Sequence, residues 1–320
     1  QIFVVKDLHQ MPVVQTGPPD SPLGDVFGKD NSVSMAFGQS DIILDASASI
    51  AVERYLALDV QSDARRISCF LNPQGTATIM LLESADRTAR LDLLEMQYYR
   101  ELLKNEKYSD HMSLPETMIY SGTCRSISSR ISQDNVSLSA ALCCKAIKLH
   151  TSNADGKIII WTHASDSVEK ESFMAEKWIT REYNGWQVEL SLSLLNEMQT
   201  DRRSALPNET GGVLIGAYDI ARKRVYVVCQ VKAPDDSISS PTSFIRGCAN
   251  LPERLEYIYK TTLDNLTYIG EWHSHPSANT QKSMDDEKLH KAIVDYNREN
   301  CLPGCMMILG TDNFSIYLNE

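Results

Sequence analysis

Between residues 41 and 161 short apolar runs alternate with stretches of helical period. Ile42 to Leu44 reads as a strand, Asp45 to Ser49 as a turn of small residues, and Ile50 to Leu58 as a helix with Ala51, Tyr55 and Leu58 in register. Strands follow at Ile67 to Leu71 and Thr76 to Leu82, with spacings suited to an alternating α/β sheet, and Leu91 to Lys104 is helical by pattern. Val136, Ala140, Cys143, Cys144 and Ile147 make one stripe of a further helix, which puts both cysteines in a core, and Gly156 to Trp161 is the next strand. Residues 11 to 40 are rich in Pro, Gly, Ser and Asp and read as loop, so order is expected to begin near Asp41. The charged stretch from Ser165 to Asn184 reads as a linker to a second domain.

In that second part the apolar run Leu266 to Ile269, ahead of Gly270, predicts a strand that Pro276 ends. Alternate side chains of a strand share a face, so His273 and His275 can point at one metal together. Leu289, Ile293 and Tyr296 are spaced by four and three, an amphipathic helix whose start Ser283 can cap and whose first turn holds Asp286. Two imidazoles and a carboxylate are a catalytic zinc set. Three protein ligands leave the fourth tetrahedral position to water, whose pKa falls to about 7 there. Glu209, before the glycine-rich strand that reaches Gly216, is free to act as general base and proton shuttle. The Ser283 hydroxyl can donate toward a substrate carbonyl.

Composition narrows the partners. The 320 residues suffice for two domains, and 42 acidic against 31 basic residues give a formal charge of -11. No basic stripe offers itself to phosphate backbones, which argues against nucleic acid. No run of eighteen apolar residues and no charged-then-apolar leader is visible, so neither a membrane span nor a secretory signal is expected. The chain opens on Gln1, which suggests a piece of a longer polypeptide. Eight scattered cysteines suit a reducing cytoplasm better than a disulfide scaffold; Cys301 and Cys305 have no second pair and read as buried or loop thiols.

Glu209, then His273, His275 and Pro276, then six residues, then Ser283 and Asp286 resemble the pattern of the JAMM (MPN-plus) zinc metalloproteases over about residues 183 to 320. The resemblance implies an α/β, cytidine-deaminase-like fold, a zinc ion on His273, His275 and Asp286, and catalytic roles for Glu209 and Ser283. It also implies hydrolysis of the bond after the C-terminal glycine of ubiquitin or a ubiquitin-like protein. The substrate tail is expected to lie along Glu209 to Gly216 and along the loop from Ser240 to Gly247, main chain to main chain.

Residues 41 to 182 are similar to the later half of a ThiF/MoeB-type ubiquitin-activating domain: a strand with an acidic end, then Cys124 and Arg125, then a helix ending at Ala146, Ile147, Lys148 and Leu149, then Gly156, Lys157 and a strand. In thiolating members of that superfamily a cysteine followed by arginine takes part in thioester or sulfur transfer, a role the resemblance gives to Cys124. Arg125 and Arg130 would favour its thiolate. A loop thiol of structural role is the equal alternative. The phosphate-cradling glycine loop is missing, the position aligned with the family's magnesium aspartate is Ala48, and the two Cys-x-x-Cys pairs that hold a second zinc are absent.

The combined expectation is a partial ThiF-like α/β domain fused to a JAMM protease, in a bacterial ubiquitin-like conjugation or antiviral pathway, with a ubiquitin-conjugating-type enzyme as a further partner. Three alternatives stay open: an ATP-dependent activating enzyme using Cys124, a binding scaffold without turnover, and a protease maturing a sulfur carrier. Because the attacking group is water, Cys124→Ala is expected to leave peptide hydrolysis unchanged, and a reporter-cleavage assay that found this variant dead would reassign the nucleophile.

Overall fold

The computed structural model describes residues 2–5, 31–114, 119–120, 127–128 and 131–320. Cys124 and Arg125 lie outside the described residues, as does the segment 6–30. The chain divides into two units, residues 1–176 and 177–320, each with its own sheet.

The first unit runs β1 (Ile2–Val5), α1 (Asn31–Gly38), β2 (Ile42–Asp45), α2 (Ile50–Leu58), β3 (Arg65–Leu71), β4 (Ala77–Leu82), α3 (Leu91–Lys104), β5 (Ile119–Tyr120), β6 (Ile127–Ser128), α4 (Gln133–His150), β7 (Lys157–His163) and β8 (Val168–Met174). Its six-stranded sheet has the order β1-β2-β3-β4-β7-β8, parallel through β3 and antiparallel from there. Order therefore does not wait for Asp41. Ile2 pairs with Ile42, and residues 31–38 are helical where loop was expected.

Two consecutive arginines on β3 point to opposite faces and close two helix ends. Arg65 donates through Nη1 to the carbonyl of His150 at 3.3 Å, at the end of α4, and through Nη2 to Asp155 O at 2.7 Å. Arg66 donates through Nε to Leu56 O at 3.2 Å and through Nη2 to Val60 O at 2.8 Å, at the end of α2. Helix C-termini leave carbonyls unpaired and carry partial negative charge, so a cation there satisfies both needs.

The stripe of α4 is shifted from the expected one. Ser139, Cys143, Ala146 and Ile147 are buried, whereas Val136, Ala140 and Cys144 are exposed. Ser139 is tolerated inside because its hydroxyl accepts from Thr78 Oγ1 at 2.8 Å and donates to Asn135 O. The expected linker is also corrected. Val168–Met174 is the edge strand of the first sheet, and Trp178–Tyr183 opens the second. Edge strands keep charged residues on their exposed positions, so their composition imitates a linker.

The second unit continues with β9 (Trp178–Tyr183), β10 (Trp186–Ser191), α5 (Leu192–Ala205), β11 (Gly211–Asp219), β12 (Arg224–Lys232), β13 (Ile238–Ser240), β14 (Ser243–Ile245), α6 (Leu251–Thr262), β15 (Thr267–Ser274), α7 (Met284–Arg298), β16 (Gly304–Leu309) and β17 (Phe314–Asn319). Seven strands form one mixed sheet in the order β17-β16-β15-β11-β12-β10-β9, while β13 and β14 make a separate hairpin. The sheet curls until its edges meet: Asn184 Nδ2, beside β9, donates to Leu318 O of β17 at 2.6 Å. One face buries Val188, Leu190, Leu214, Val227, Trp272 and Met307 against Leu194 and Met198 of α5. On the other face α7 lays Ile293 over Met306 and Ile308. Tyr296, expected on that apolar face, is instead exposed and stands edge-on to Tyr268. The buried face of α7 takes Asn297, whose amide donates to Pro303 O.

Both antiparallel pairings of β11 shift register at glycines. The β11 ladder slips beside Gly216 against β12, and beside Leu214, the partner of Gly270, against β15. A Cβ on Gly216 would overlap the carbonyl oxygen of Tyr226, and one on Gly270 that of Cys305. These are backbone obstacles that no rotamer can relieve. Among the described residues no helix is long and apolar enough to cross a membrane. Gly216→Ala is expected to cost about 1–3 kcal/mol, as overpacking does, read as a lower denaturation midpoint by tryptophan fluorescence. An unchanged midpoint would contradict the steric reading.

Candidate metal centre

Strand β15 ends at Ser274, and its alternation sends Glu271 and His273 to one face while Trp272 enters the core, its indole donating to Gln230 Oε1 at 2.9 Å. His273 lies opposite Gly211 of β11, where a side chain would strike Trp272 O and the Phe244 ring. His275 stands one residue past the strand, its amide donating to Leu309 O at 2.8 Å. Across from them α7 begins at Ser283, with a complete capping box. The Asp286 amide donates to Ser283 Oγ at 3.2 Å, and the Ser283 amide donates to Asp286 Oδ2 at 2.7 Å. Such caps are worth about 1 kcal/mol.

That box aims Asp286 at the histidines. Its Oδ1 lies 3.0 Å from His273 Nε2 and its Oδ2 3.7 Å from His275 Nε2, while the two Nε2 atoms are 3.3 Å apart. Among the described residues these three form the group of His, Cys, Asp or Glu side chains able to hold an ion, with ligand atoms all within 4.8 Å of one another. Tetrahedral zinc with bonds of about 2.0–2.1 Å spaces its ligand atoms by roughly 3.3–3.4 Å, so the donor set fits that ion. The tautomer fits too. His275 Nδ1 is 2.7 Å from the carbonyl of Asn279, which can only accept, so in the neutral ring the proton sits on Nδ1 and Nε2 presents its lone pair to the centre.

Glu209, 7% exposed, lines the same cavity of about 520 Å³ as His273, His275 and Asp286. Its amide donates to Ser240 O, which ties it to β13, and the next residue is bonded to Ser274 in both directions. Burial pushes the Glu209 carboxyl above its ordinary range, the two histidines pull it back, and Asp286 adds to the rise. Ser283 also lines the cavity; its oxygen is occupied by the Asp286 amide, which leaves its O–H as the donor.

The spacing of the sequence thus brings Glu209, His273, His275, Ser283 and Asp286 to one place, whereas Cys124 is outside the described residues. Two arginines that support the site were not singled out from the sequence. Arg246, just past β14, forks onto Glu271, with Nε to Oε2 at 3.0 Å and Nη2 to Oε1 at 2.8 Å, and its Nη1 donates to Gly247 O. The fork fastens the β13–β14 hairpin to the strand that carries His273. Arg202 of α5 donates to the carbonyls of His275 and Pro276. Its signal was present in the sequence: it continues the buried stripe of Leu194 and Met198, an odd place for a cation. The expected path of a substrate tail along residues 211–216 is corrected, because β11 is paired with β12 on one side and β15 on the other and has no free edge.

Electrostatics of the three ligand side chains interlock. Burial opposes ionisation of Asp286, but hydrogen bonds from His273 and His275 prevail and hold its carboxyl far below the usual range. The bond to Asp286 raises His275 above its ordinary value against the pull of burial. Without metal, the depressed Asp286 stabilises the fold above its unfolded pKa of ~3.9 and loses that effect as pH falls through the folded value. The raised His275 stabilises fully below ~6.5 and loses its effect as pH rises through the folded value. The melting-temperature gap between the metal-free chain and Asp286→Asn should therefore be widest between about pH 4 and 6.5. A gap constant across pH would sink this coupling.

Comparison with known proteins bears on the same residues. The family described as prokaryotic homologs of the JAB domain matches residues 191–318. A CD-NTase/cGAS isopeptidase from Enterobacter hormaechei subsp. hoffmannii is 33% identical over 153 residues, 47% of this chain and 83% of that protein. Among solved structures, a Desulfitobacterium hafniense protein is similar at 23% identity and a TM-score of 0.29, over 40% of this chain and 82% of the other. A JAB1/MPN domain protein from Archaeoglobus fulgidus is similar at 18% identity and a TM-score of 0.24, over 39% and 83%. With a third of the aligned residues identical over most of the isopeptidase, and with the family's pattern spanning α5 to β17, this chain belongs to the prokaryotic JAB-domain family.

Proposed function

We propose that residues 177–320 are a zinc-dependent isopeptidase that hydrolyses the bond after the C-terminal glycine of a ubiquitin-like protein. The observation that carries this reading is the convergence of two Nε2 atoms and one carboxylate in a cavity that also contains a buried glutamate. The relative's name, an isopeptidase, supports an amide bond as the target and makes a CD-NTase one candidate for the protein released. The antiviral setting and a ubiquitin-conjugating-type partner belong to this proposal on the sequence resemblance alone.

In this mechanism His273, His275 and Asp286 hold the metal. When bound, zinc supplies Lewis acidity, which polarises the scissile carbonyl and acidifies water. Glu209 takes the proton of the attacking water and delivers it to the leaving amine; a carboxyl raised by burial is better matched to that exchange near neutral pH than an exposed one. Ser283 donates its O–H to the developing oxyanion, fixed in place by its role as the cap of α7. The substrate tail adds along the β13–β14 hairpin, which ends against the cavity in Phe244 and Ile245.

For the first unit we propose a ThiF-like docking domain for the ubiquitin-like partner. Asp45 is fully buried, accepting from Ser47 N at 2.9 Å and from Ser68 Oγ at 3.1 Å, so it is committed to the strand end. That commitment, with the missing glycine loop, favours docking over adenylation. A ubiquitin-like protein fused through its terminal glycine to a reporter tests the protease. Glu209→Gln should keep zinc and lose cleavage by about 10²–10⁴-fold, whereas His273→Ala should lose zinc as well. Equal metal loss in both variants would overturn the division of roles.

A further inference from the structure

His275 lies one residue beyond the end of β15; Leu309 O still holds its amide, but among the described residues no cross-strand partner holds its ring. What orients it is the turn that follows, which brings Asn279 O to 2.7 Å from Nδ1. That turn is pinned by side chains from elsewhere. Asn313 Nδ2 donates to Ala278 O at 3.0 Å, and Tyr317 Oη donates to Thr280 O at 2.8 Å. At its root is Arg202, whose Nε donates to His275 O at 2.9 Å and whose Nη2 donates to Pro276 O at 2.7 Å and to Thr311 Oγ1 at 3.1 Å.

Arg202 is 2% exposed and stands on the apolar stripe of α5, one helical repeat from Met198. No carboxylate pairs with it among the described residues. Burying a guanidinium without a counter-ion is costly, and a leucine or methionine would serve the stripe better if packing were all that was required. Its acceptors are the two carbonyls that bracket the His275–Pro276 bond and a hydroxyl from the loop after β16. Together they fix the backbone from which the turn to Asn279 departs.

We infer that Arg202 is a positioning residue: its buried guanidinium clamps the His275 and Pro276 carbonyls so that Asn279 O accepts from Nδ1–H and His275 Nε2 faces the metal centre. This rests on the reading that His273, His275 and Asp286 hold the metal. Planar, rigid donors are what the two carbonyls require, and a lysine, a single point donor on a flexible stem, cannot reproduce them.

The test uses the full chain labelled with ¹⁵N-histidine, first without metal and at alkaline pH, where the ring is neutral. Long-range proton–nitrogen spectra should show His275 protonated on Nδ1 in the parent and a mixture of tautomers in Arg202→Met. Zinc affinity, measured by competition with a chelating indicator, should fall about 10–100-fold in Arg202→Met, the usual cost of losing a group that orients a metal ligand. Arg202→Lys should recover only part of both readouts. Met198→Ala, on the same stripe but away from the turn, should lower stability and leave tautomer and affinity unchanged. A folded Arg202→Met with parental tautomer and affinity would overturn the inference. Should that variant not fold, Arg202→Lys decides by the same two readouts, parental values counting against the clamp. A parent chain that bound no zinc would overturn the metal reading, while the tautomer comparison would still judge Arg202.

Discussion

One carboxylate has two obligations, and the rest of the site depends on both being met. Asp286 closes the capping box of α7 through Oδ2 and faces the two imidazoles with Oδ1 and Oδ2. The helix start therefore cannot move without moving the carboxylate that faces the histidines. Burial would by itself discourage the charge; the imidazole hydrogen bonds restore it. A centre of this kind is assembled by folding, since its strand and its helix meet only when the sheet and the face covered by Ile293 are packed.

Around that pivot the chain uses buried and half-buried arginines as fasteners. In the second unit Arg246 joins the hairpin to β15 through Glu271, and Arg202 joins α5 to the turn after His275. In the first unit Arg65 and Arg66 close the ends of α4 and α2. Three of the four, Arg65, Arg66 and Arg202, direct their donors largely at backbone carbonyls, which suits a planar guanidinium with five N–H groups. The cost of desolvating them is offset only in the folded arrangement, so they favour one geometry over near alternatives.

Glu209 illustrates how location sets chemistry. It precedes β11, is tied by its backbone to β13, and sits in the cavity with the two histidines and Asp286. Burial raises its carboxyl above the ordinary range, against the pull of the two histidines. Gly211, opposite His273, leaves no room for a side chain between the strand and Phe244.

Local rules made part of this legible in the sequence. The alternation that places His273, the cap at Ser283 and the first-turn position of Asp286 depend on a few neighbouring residues, and so does the helix from Leu91 to Lys104. The family pattern was readable for the same reason: its spacing is short within each half. The tertiary structure decided what depends on distant partners. The edge strands at 168–174 and 178–183 looked like a linker because their charge reflects exposure, and only pairing with β7 and β10 makes them strands. The stripe of α4 shifted because Ser139 found Thr78 across the sheet, a polar partner that periodicity does not weigh. Arg202 and Arg246 have acceptors about 70 and 25 residues away, and no spacing rule reaches that far. Sequence determined which side chains could form the centre; packing decided which others hold it in place, because those contacts exist only after the long-range pairing is complete.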